Sequence, residues 1–134
     1  MPINPQSHVQ VVPVAGASEV TAQRSGTTSD STTRATVFTP ATGKKARIIA
    51  VFMFTTNSTA AAFEVYFGTG ANISTDETKI IFEAWLDVDG VQSNAHIVFP
   101  NGDGPVGAVD DVVSLRTSAN LGADGIVDVI YREE

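Results

Sequence analysis

The stretch KKARIIAVFMFTTNS, residues 44–58, contains an unbroken apolar run from Ile48 to Phe54. This run is much shorter than the roughly 20 apolar residues that a membrane-spanning helix needs. Its β-branched and aromatic residues, followed by Thr, Asn and Ser, are typical of a strand that ends in a turn. A strand that is apolar at every position is buried on both faces. We therefore predict a central strand with one face in the core and the other covered by an arm or a neighbouring subunit.

Shorter segments of the chain alternate apolar and polar residues with a period of two. In AFEVYFG, the side chains of Phe63, Val65 and Phe67 share one face of a strand, while Glu64 and Tyr66 share the other, because successive side chains of a strand point to opposite sides. Turns rich in Gly, Asn, Asp and Pro separate these segments. The pattern predicts an all-β fold: a single jelly-roll-like β-sandwich of about eight antiparallel strands with an extended N-terminal arm.

Eight segments are predicted as strands: VQVVPV, TVFTP, RIIAVFMFTT, FEVYFG, IIFEAWLDV, HIVFP, VVSLRTS and IVDVIYR. Within them, alternation predicts a core made of Ile49, Val51, Met53, Phe63, Val65, Phe67, Phe82, Leu86, Val113, Leu115, Val127 and Val129. Alternation cannot choose the inner face of the doubly apolar strand, since a slip of one residue exchanges its two faces.

The first quarter of the chain differs in composition. Between residues 15 and 34 the only bulky aliphatic residue is Val20, which is too little apolar surface for this segment to order itself. Upstream, VQVVPV contains Pro13, which fits an edge strand but not a central one. We therefore predict an extended arm over residues 1–34 and a sandwich domain over residues 35–134. The VQVVPV segment is either an edge strand of its own domain or a strand exchanged with a neighbour, and its candidate interface residues are Val9, Val11, Val12 and Val14.

Composition limits the partners of the chain. Its 134 residues suit one domain, and 8 Lys+Arg against 15 Asp+Glu give a net charge of -7. This charge opposes binding to nucleic acid or to an anionic membrane, so we expect neither as a partner. Cysteine is absent, which excludes disulfides and thiolate metal sites. The first residues lack the basic and apolar stretches of a secretory signal, so we expect either synthesis in the cytoplasm or a sequence that is already the mature form.

No catalytic motif is present in the sequence. It lacks a nucleophile elbow, a P-loop and paired zinc ligands, and its two histidines, His8 and His96, lie far apart in the chain. We expect no enzymatic activity and no cofactor. The acidic turns DVDG and NGDG supply Asp87, Asp89 and Asp103, whose oxygens suit a calcium-like cation held jointly or between subunits. Plain hairpin turns with solvated acids are the alternative.

Trp85 is the single tryptophan of the chain. Strand alternation places it on one face with Ile81 and Glu83, opposite Phe82 and Leu86. Three roles remain open at this point: burial in a second layer, an anchor at a protein interface, or a stacking platform for a sugar.

The order of strands and turns resembles that of small virion proteins of tailed bacteriophages. The resemblance covers roughly residues 42–134 and rests on two stretches, TGKKARIIAVFMFTTNSTAAAFEVYFGTG and HIVFPNGDGPVGAVDDVVSLRTSANLGADGIVDVIYREE. In the second, a strand ending in Pro-Asn-Gly precedes a Ser-Leu-x-Thr-Ser strand and a closing Val-x-Val-x-Tyr strand.

This resemblance implies a β-sandwich subunit that decorates or cements a phage head, with a tail or neck component as the alternative. It implies a location in the virion after synthesis in the host cytoplasm. The implied partners are copies of the same chain, with a trimer as the expected homo-oligomer, and the major capsid protein or other virion proteins. The competing hypothesis is a carbohydrate- or receptor-binding module that uses Trp85 and the acidic loops.

Overall fold

Two four-stranded antiparallel sheets make up the fold. The structure is a computed structural model, and it describes residues 22–29, 34–70, 77–90, 92–121 and 123–134. The strands are β1 Gln23–Ser29, β2 Ala35–Phe38, β3 Ala46–Thr55, β4 Ala61–Phe67, β5 Ile80–Leu86, β6 Asn94–Val98, β7 Val113–Thr117 and β8 Gly125–Glu133, with short 3-10 turns at Glu77–Lys79 and Pro100–Gly102. Among these residues no helix has the length and apolar character needed to cross a membrane.

The strands pair in the order of a jelly roll. The first pairs with the last, the second with the seventh, the third with the sixth and the fourth with the fifth. Pairing of β3 with β8 and of β4 with β7 completes the sheets β1-β8-β3-β6 and β2-β7-β4-β5. This is the jelly-roll arrangement, in which one long hairpin is wrapped into two packed sheets. The predicted all-β, jelly-roll-like sandwich is confirmed.

The core lies between the two sheets. All the predicted core positions are buried except Ile49 and Phe82, which are only partly buried. At Ile49 the register between β3 and β8 shifts between Ile48 and Ala50, so that Ile48 becomes the fully buried residue. Phe82 packs against the core but belongs to β5, an edge strand, where no further strand covers it.

The predicted domain boundary at residue 35 differs from the structure. Residues Gln23–Ser29 form β1, which pairs with β8 along its whole length, and the Tyr131 hydroxyl donates a hydrogen bond to the Gln23 side chain. A polar strand is stable at an edge because the backbone ladder, rather than apolar burial, holds it. The sandwich therefore begins before residue 35. Residues 1–21 and 30–33 lie outside the described residues. The predicted arm segment with Val9, Val11, Val12 and Val14 belongs to the first of these ranges.

Two N-terminal truncations test this boundary. Deleting residues 1–34 removes β1 and its ladder on β8, and several backbone hydrogen bonds of about 1 kcal/mol each are a large part of a typical stability of about 5–15 kcal/mol. We expect that variant to be largely unfolded at 37 °C. Deleting residues 1–20 leaves β1 intact and should shift the melting temperature by only a few degrees. Thermal denaturation followed by circular dichroism measures the melting temperature of both variants. Equal melting temperatures would support a domain boundary at residue 35.

Candidate interaction surface

The outer face of the β1-β8-β3-β6 sheet exposes large apolar side chains. On β3, Val51 and Met53 point into the core, while Phe52 and Phe54 point outward and are 41% and 42% exposed. The cross-strand neighbour of Phe54 on β8 is Ile126, which is also exposed, and Val98 on β6 is 58% exposed. The prediction of a central strand that is apolar on both faces is confirmed. No other part of the described chain covers its second face, which we name the outer apolar face: Phe52, Phe54, Val98 and Ile126.

His96 extends the outer apolar face toward the edge of the sheet. It lies opposite Phe52 in the β3–β6 ladder, and the two rings stack with centroids 5.9 Å apart and planes 16° from parallel. His96 itself is exposed, on the edge strand. The stack fixes the orientation of an imidazole at the border between this face and the free edge of β6.

Trp85 is exposed on the edge strand of the other sheet. Its side chain is 63% exposed, which excludes the burial in a second layer that sequence reasoning left open. Alternation predicted that Trp85 and Ile81 share one face of the strand, but Ile81 is buried. The reason is a register shift between β4 and β5, where Val65 lies opposite Phe82 and Tyr66 lies opposite Ile80. The interface and sugar-platform roles both remain compatible with the exposed indole.

A groove runs along the open side of the sandwich, between the edge strands β5 and β6. It has a volume of about 450 Å³ and is lined by Phe82, Glu83, Ala84, Trp85, Gln92, Asn94, Ala95 and His96. A second groove of about 300 Å³ adjoins it and is lined by Trp85, Asp87, Gly90 and Gln92. Trp85 and Gln92 belong to both, so the two grooves form one continuous depression beside the indole.

The three candidate cation ligands do not come together in one chain. Asp87 and Asp89 lie in the β5–β6 turn, where the Asp87 carboxylate accepts a hydrogen bond from the Asp89 backbone N–H at 2.9 Å. Asp103 lies beside the beginning of β3, where its carboxylate accepts a hydrogen bond from Arg47 at 2.9 Å. The β5–β6 turn, in contrast, bonds to Asn57, beyond the end of β3. Among the described residues, no group of three or more His, Cys, Asp or Glu side chains is placed to hold a metal ion.

Asp103 belongs instead to an ionic cluster at the other end of the outer sheet face. Arg47 and Arg132 lie directly opposite each other on β3 and β8, and the Glu134 carboxylate accepts hydrogen bonds from both. Two like charges in register repel each other, and the carboxylates of Glu134 and Asp103 offset that repulsion. The hydrogen bond from Arg47, ahead of the other contacts, holds the pKa of Glu134 below its ordinary value, and the same bond raises the pKa of Arg47.

Replacing Glu134 with Gln tests this cluster through its pH dependence. A carboxyl group whose pKa is lowered by folding stabilises the fold above its ordinary value of about 4.3 and loses that contribution as the pH falls through the folded pKa. We expect Glu134→Gln to lower the melting temperature at pH 7 and to differ much less from the parent chain at pH 3. Asp89→Asn is the matched control, since it also removes one carboxylate, and it should not show this pattern. A Glu134→Gln deficit that is equal at both pH values would contradict the ionic role.

Comparison with known proteins finds structural likeness but shows no family. No protein-family model matches the chain, and no curated protein matches it. Among solved structures, a chain of the extra small virus virus-like particle from the giant freshwater prawn Macrobrachium rosenbergii, determined by cryo-electron microscopy, matches with 14% identity and a TM-score of 0.42. The match covers 99% of this chain and 88% of that chain. At this TM-score the likeness carries no argument, so the assignment of the fold rests on the strand pairing.

Sequence reasoning did not predict that β6 lies at an edge of its sheet. HIVFP was recognised as a strand, but its position in the sheet depends on long-range pairing with β3, which no local pattern encodes. The available signal was the absence of any charged residue in Asn94–Val98, since exposed edge strands commonly carry charges or proline.

Proposed function

We propose that this chain is a structural virion protein of a tailed phage that decorates and stabilises the capsid through contacts between subunits. The observation that carries the proposal is the outer apolar face, where phenylalanines stand exposed on the central strand of the sheet. Jelly rolls are common among viral capsid domains, although lectins and cupins share the architecture. The resemblance of residues 42–134 to small phage virion proteins favours the first of these classes.

The physical chemistry of the outer apolar face suits adhesion between proteins. Contiguous apolar patches on soluble proteins mark interaction sites, and a stable interface needs on the order of 800 Å² from each partner. The apolar residues lie toward one end of the sheet, where Asp128 on β8 lies opposite Phe52. The ionic cluster of Arg47, Arg132 and Glu134 lies at the other end. Apolar residues bordered by charged groups are the usual composition of a protein interface.

The proposed partners are copies of the same chain and the major capsid protein or another virion protein, in an assembly located in the virion. A trimer is the expected oligomer on the basis of the family resemblance, and a tail or neck position is a variant of the same role. We propose no enzymatic activity. The net charge of -7 opposes contact with nucleic acid or anionic lipid.

Deleting residues 1–20 tests the role of the arm in attachment. The deletion removes Val9, Val11, Val12 and Val14 but ends before β1, which begins at Gln23, so the sandwich should stay folded. We expect at least a tenfold loss of binding to purified phage heads, measured by co-sedimentation. Replacing the four valines with serine in the full-length chain is the control that keeps the length of the arm, and it should reproduce the loss. Attachment equal to that of the full chain would show that the arm is dispensable.

A second candidate function, carbohydrate or receptor binding, is favoured by the exposure of Trp85. The indole stands beside a groove whose lining includes Asp87, Gln92 and Asn94. An exposed aromatic ring stacks on the apolar face of a sugar, and carboxylate and amide groups bond to its hydroxyls. The same indole is equally suited to anchor a protein contact.

The substitution Trp85→Ala separates these two functions. If the groove binds sugar, the variant should lose binding to a glycan array or to host cell-surface polysaccharide while its attachment to phage heads is unchanged. Val88→Ala is the matched control, since Val88 is an exposed apolar residue of the neighbouring turn. We expect no glycan binding by the parent chain, and binding that Trp85→Ala abolishes would favour the carbohydrate module over the capsid role.

A further inference from the structure

At the edge of β6 that no described strand covers, the backbone groups form a regular row. The Phe99 N–H donates to the Ile49 carbonyl, and the Thr55 N–H donates to the Ser93 carbonyl, both at 2.9 Å. Because alternate residues of an antiparallel strand bond to opposite sides, the odd-numbered residues of β6 bond to β3. The N–H and carbonyl groups that point away from the sheet are therefore those of Asn94, His96 and Val98.

Among the four edge strands, β6 alone combines a regular register with a sequence free of charged residues. Charged side chains and bulges normally block strand addition. The sequence of β1 contains Arg24, β2 has only four residues and a register shift, and β5 contains Glu83 and a register shift. In contrast, the Asn-Ala-His-Ile-Val sequence of β6 has no acidic residue, lysine, arginine or proline, and its register with β3 is regular.

We infer that β6 pairs with β6 of a second copy, antiparallel and across a twofold axis at His96. This pairing rests on the self-association in the proposed function and names one twofold contact between copies, separate from the contact that would form a trimer. The outward-facing groups are symmetric about His96, so one register uses all of them: Asn94 opposite the partner's Val98, His96 opposite the partner's His96, and Val98 opposite the partner's Asn94. A twofold interface requires such a self-complementary surface.

Charge and packing identify a second copy as the occupant of this edge. Each chain carries a net charge of -7, and an edge without acidic residues lets two copies approach without a like-charge contact. The stacked pair of Phe52 and His96 would meet its counterpart at the axis and form one row of four rings. The groove beside β6, which Glu83 lines together with apolar residues, lies along the same edge, so the partner would cover part of this surface as well as backbone.

Single cysteines test the register directly, because the chain has no cysteine of its own. Hydrogen-bonded residues that face each other have Cα atoms about 5.5 Å apart, within the range of a disulfide. Under mild oxidation His96→Cys should therefore form a covalent dimer. Asn94→Cys alone should not, since its own copy is four residues away along the strand, roughly 13 Å. A mixture of Asn94→Cys and Val98→Cys chains of different length should form the mixed dimer.

Val109→Cys is the control for random collision, since Val109 lies at an exposed position in another turn. It should cross-link at least tenfold more slowly than His96→Cys. His96→Pro removes an outward N–H and the ring that stacks on Phe52 but no N–H that bonds to β3, so it should raise the dimer dissociation constant at least tenfold, measured by sedimentation, with an unchanged circular dichroism spectrum.

Two results would overturn the pairing: a chain that stays monomeric at all concentrations, or an oligomer in which Asn94→Cys cross-links as fast as His96→Cys. If the oligomer forms and binds phage heads without the His96 cross-link, the inference fails and the proposed function stands. If His96→Cys cross-links but the chain does not bind heads, the β6 pairing stands and the proposed function fails.

Discussion

A two-layer sandwich covers only one face of each sheet, and β3 is apolar on both. The inner side chains of this strand, Val51 and Met53, are fully buried, whereas Phe52 and Phe54 remain about 40% exposed. If a phenylalanine side chain buries roughly 200 Å² and each Å² is worth about 25 cal/mol, each ring leaves about 2 kcal/mol of apolar burial unrealised. A partner that covers this face would gain that energy, so the same strand that organises the fold also creates the surface for assembly.

The two ends of the outer face of the β1-β8-β3-β6 sheet carry different kinds of side chain. At one end Arg47 and Arg132 face each other in register, and Glu134 and Asp103 bond to them. These bonds tie the segment after β6 and the end of β8 to the sheet, so this end is already engaged within the chain. At the other end most side chains are apolar, apart from Asp128 opposite Phe52, and they have no covering layer among the described residues. The surface available for a partner is therefore the apolar end together with the adjoining edge of β6.

Alternation of apolar and polar residues was enough to predict seven of the eight strands that the structure contains and most of the core. It failed where the backbone, and not burial, decides the structure. Gln23–Ser29 is a polar edge strand held by its ladder to β8, and no hydropathy pattern records such a ladder. Ile49 and Ile81 lie next to register shifts, and a shift of one residue exchanges the faces of a strand.

The candidate sites could be predicted only as separate residues. Sequence reasoning named Trp85, but its exposure depends on the position of β5 at an edge of its sheet. It grouped Asp103 with Asp87 and Asp89 by residue type, although the fold brings Asp103 to Arg47. Both outcomes depend on contacts between residues far apart in the chain, and local spacing does not encode them.

The symmetry of β6 pairing limits the assemblies that this chain can build. An isologous contact closes on itself as a dimer and cannot generate a trimer. The trimer that the family resemblance implies would need a second, heterologous contact on a different surface. The exposed indole of Trp85 on β5 and the pair of Phe54 and Ile126 on the outer apolar face are the surfaces that remain for it. A twofold contact combined with a threefold contact extends over a lattice or closes into a larger particle, so the proposed β6 pairing and a trimer would together build more than a closed trimer.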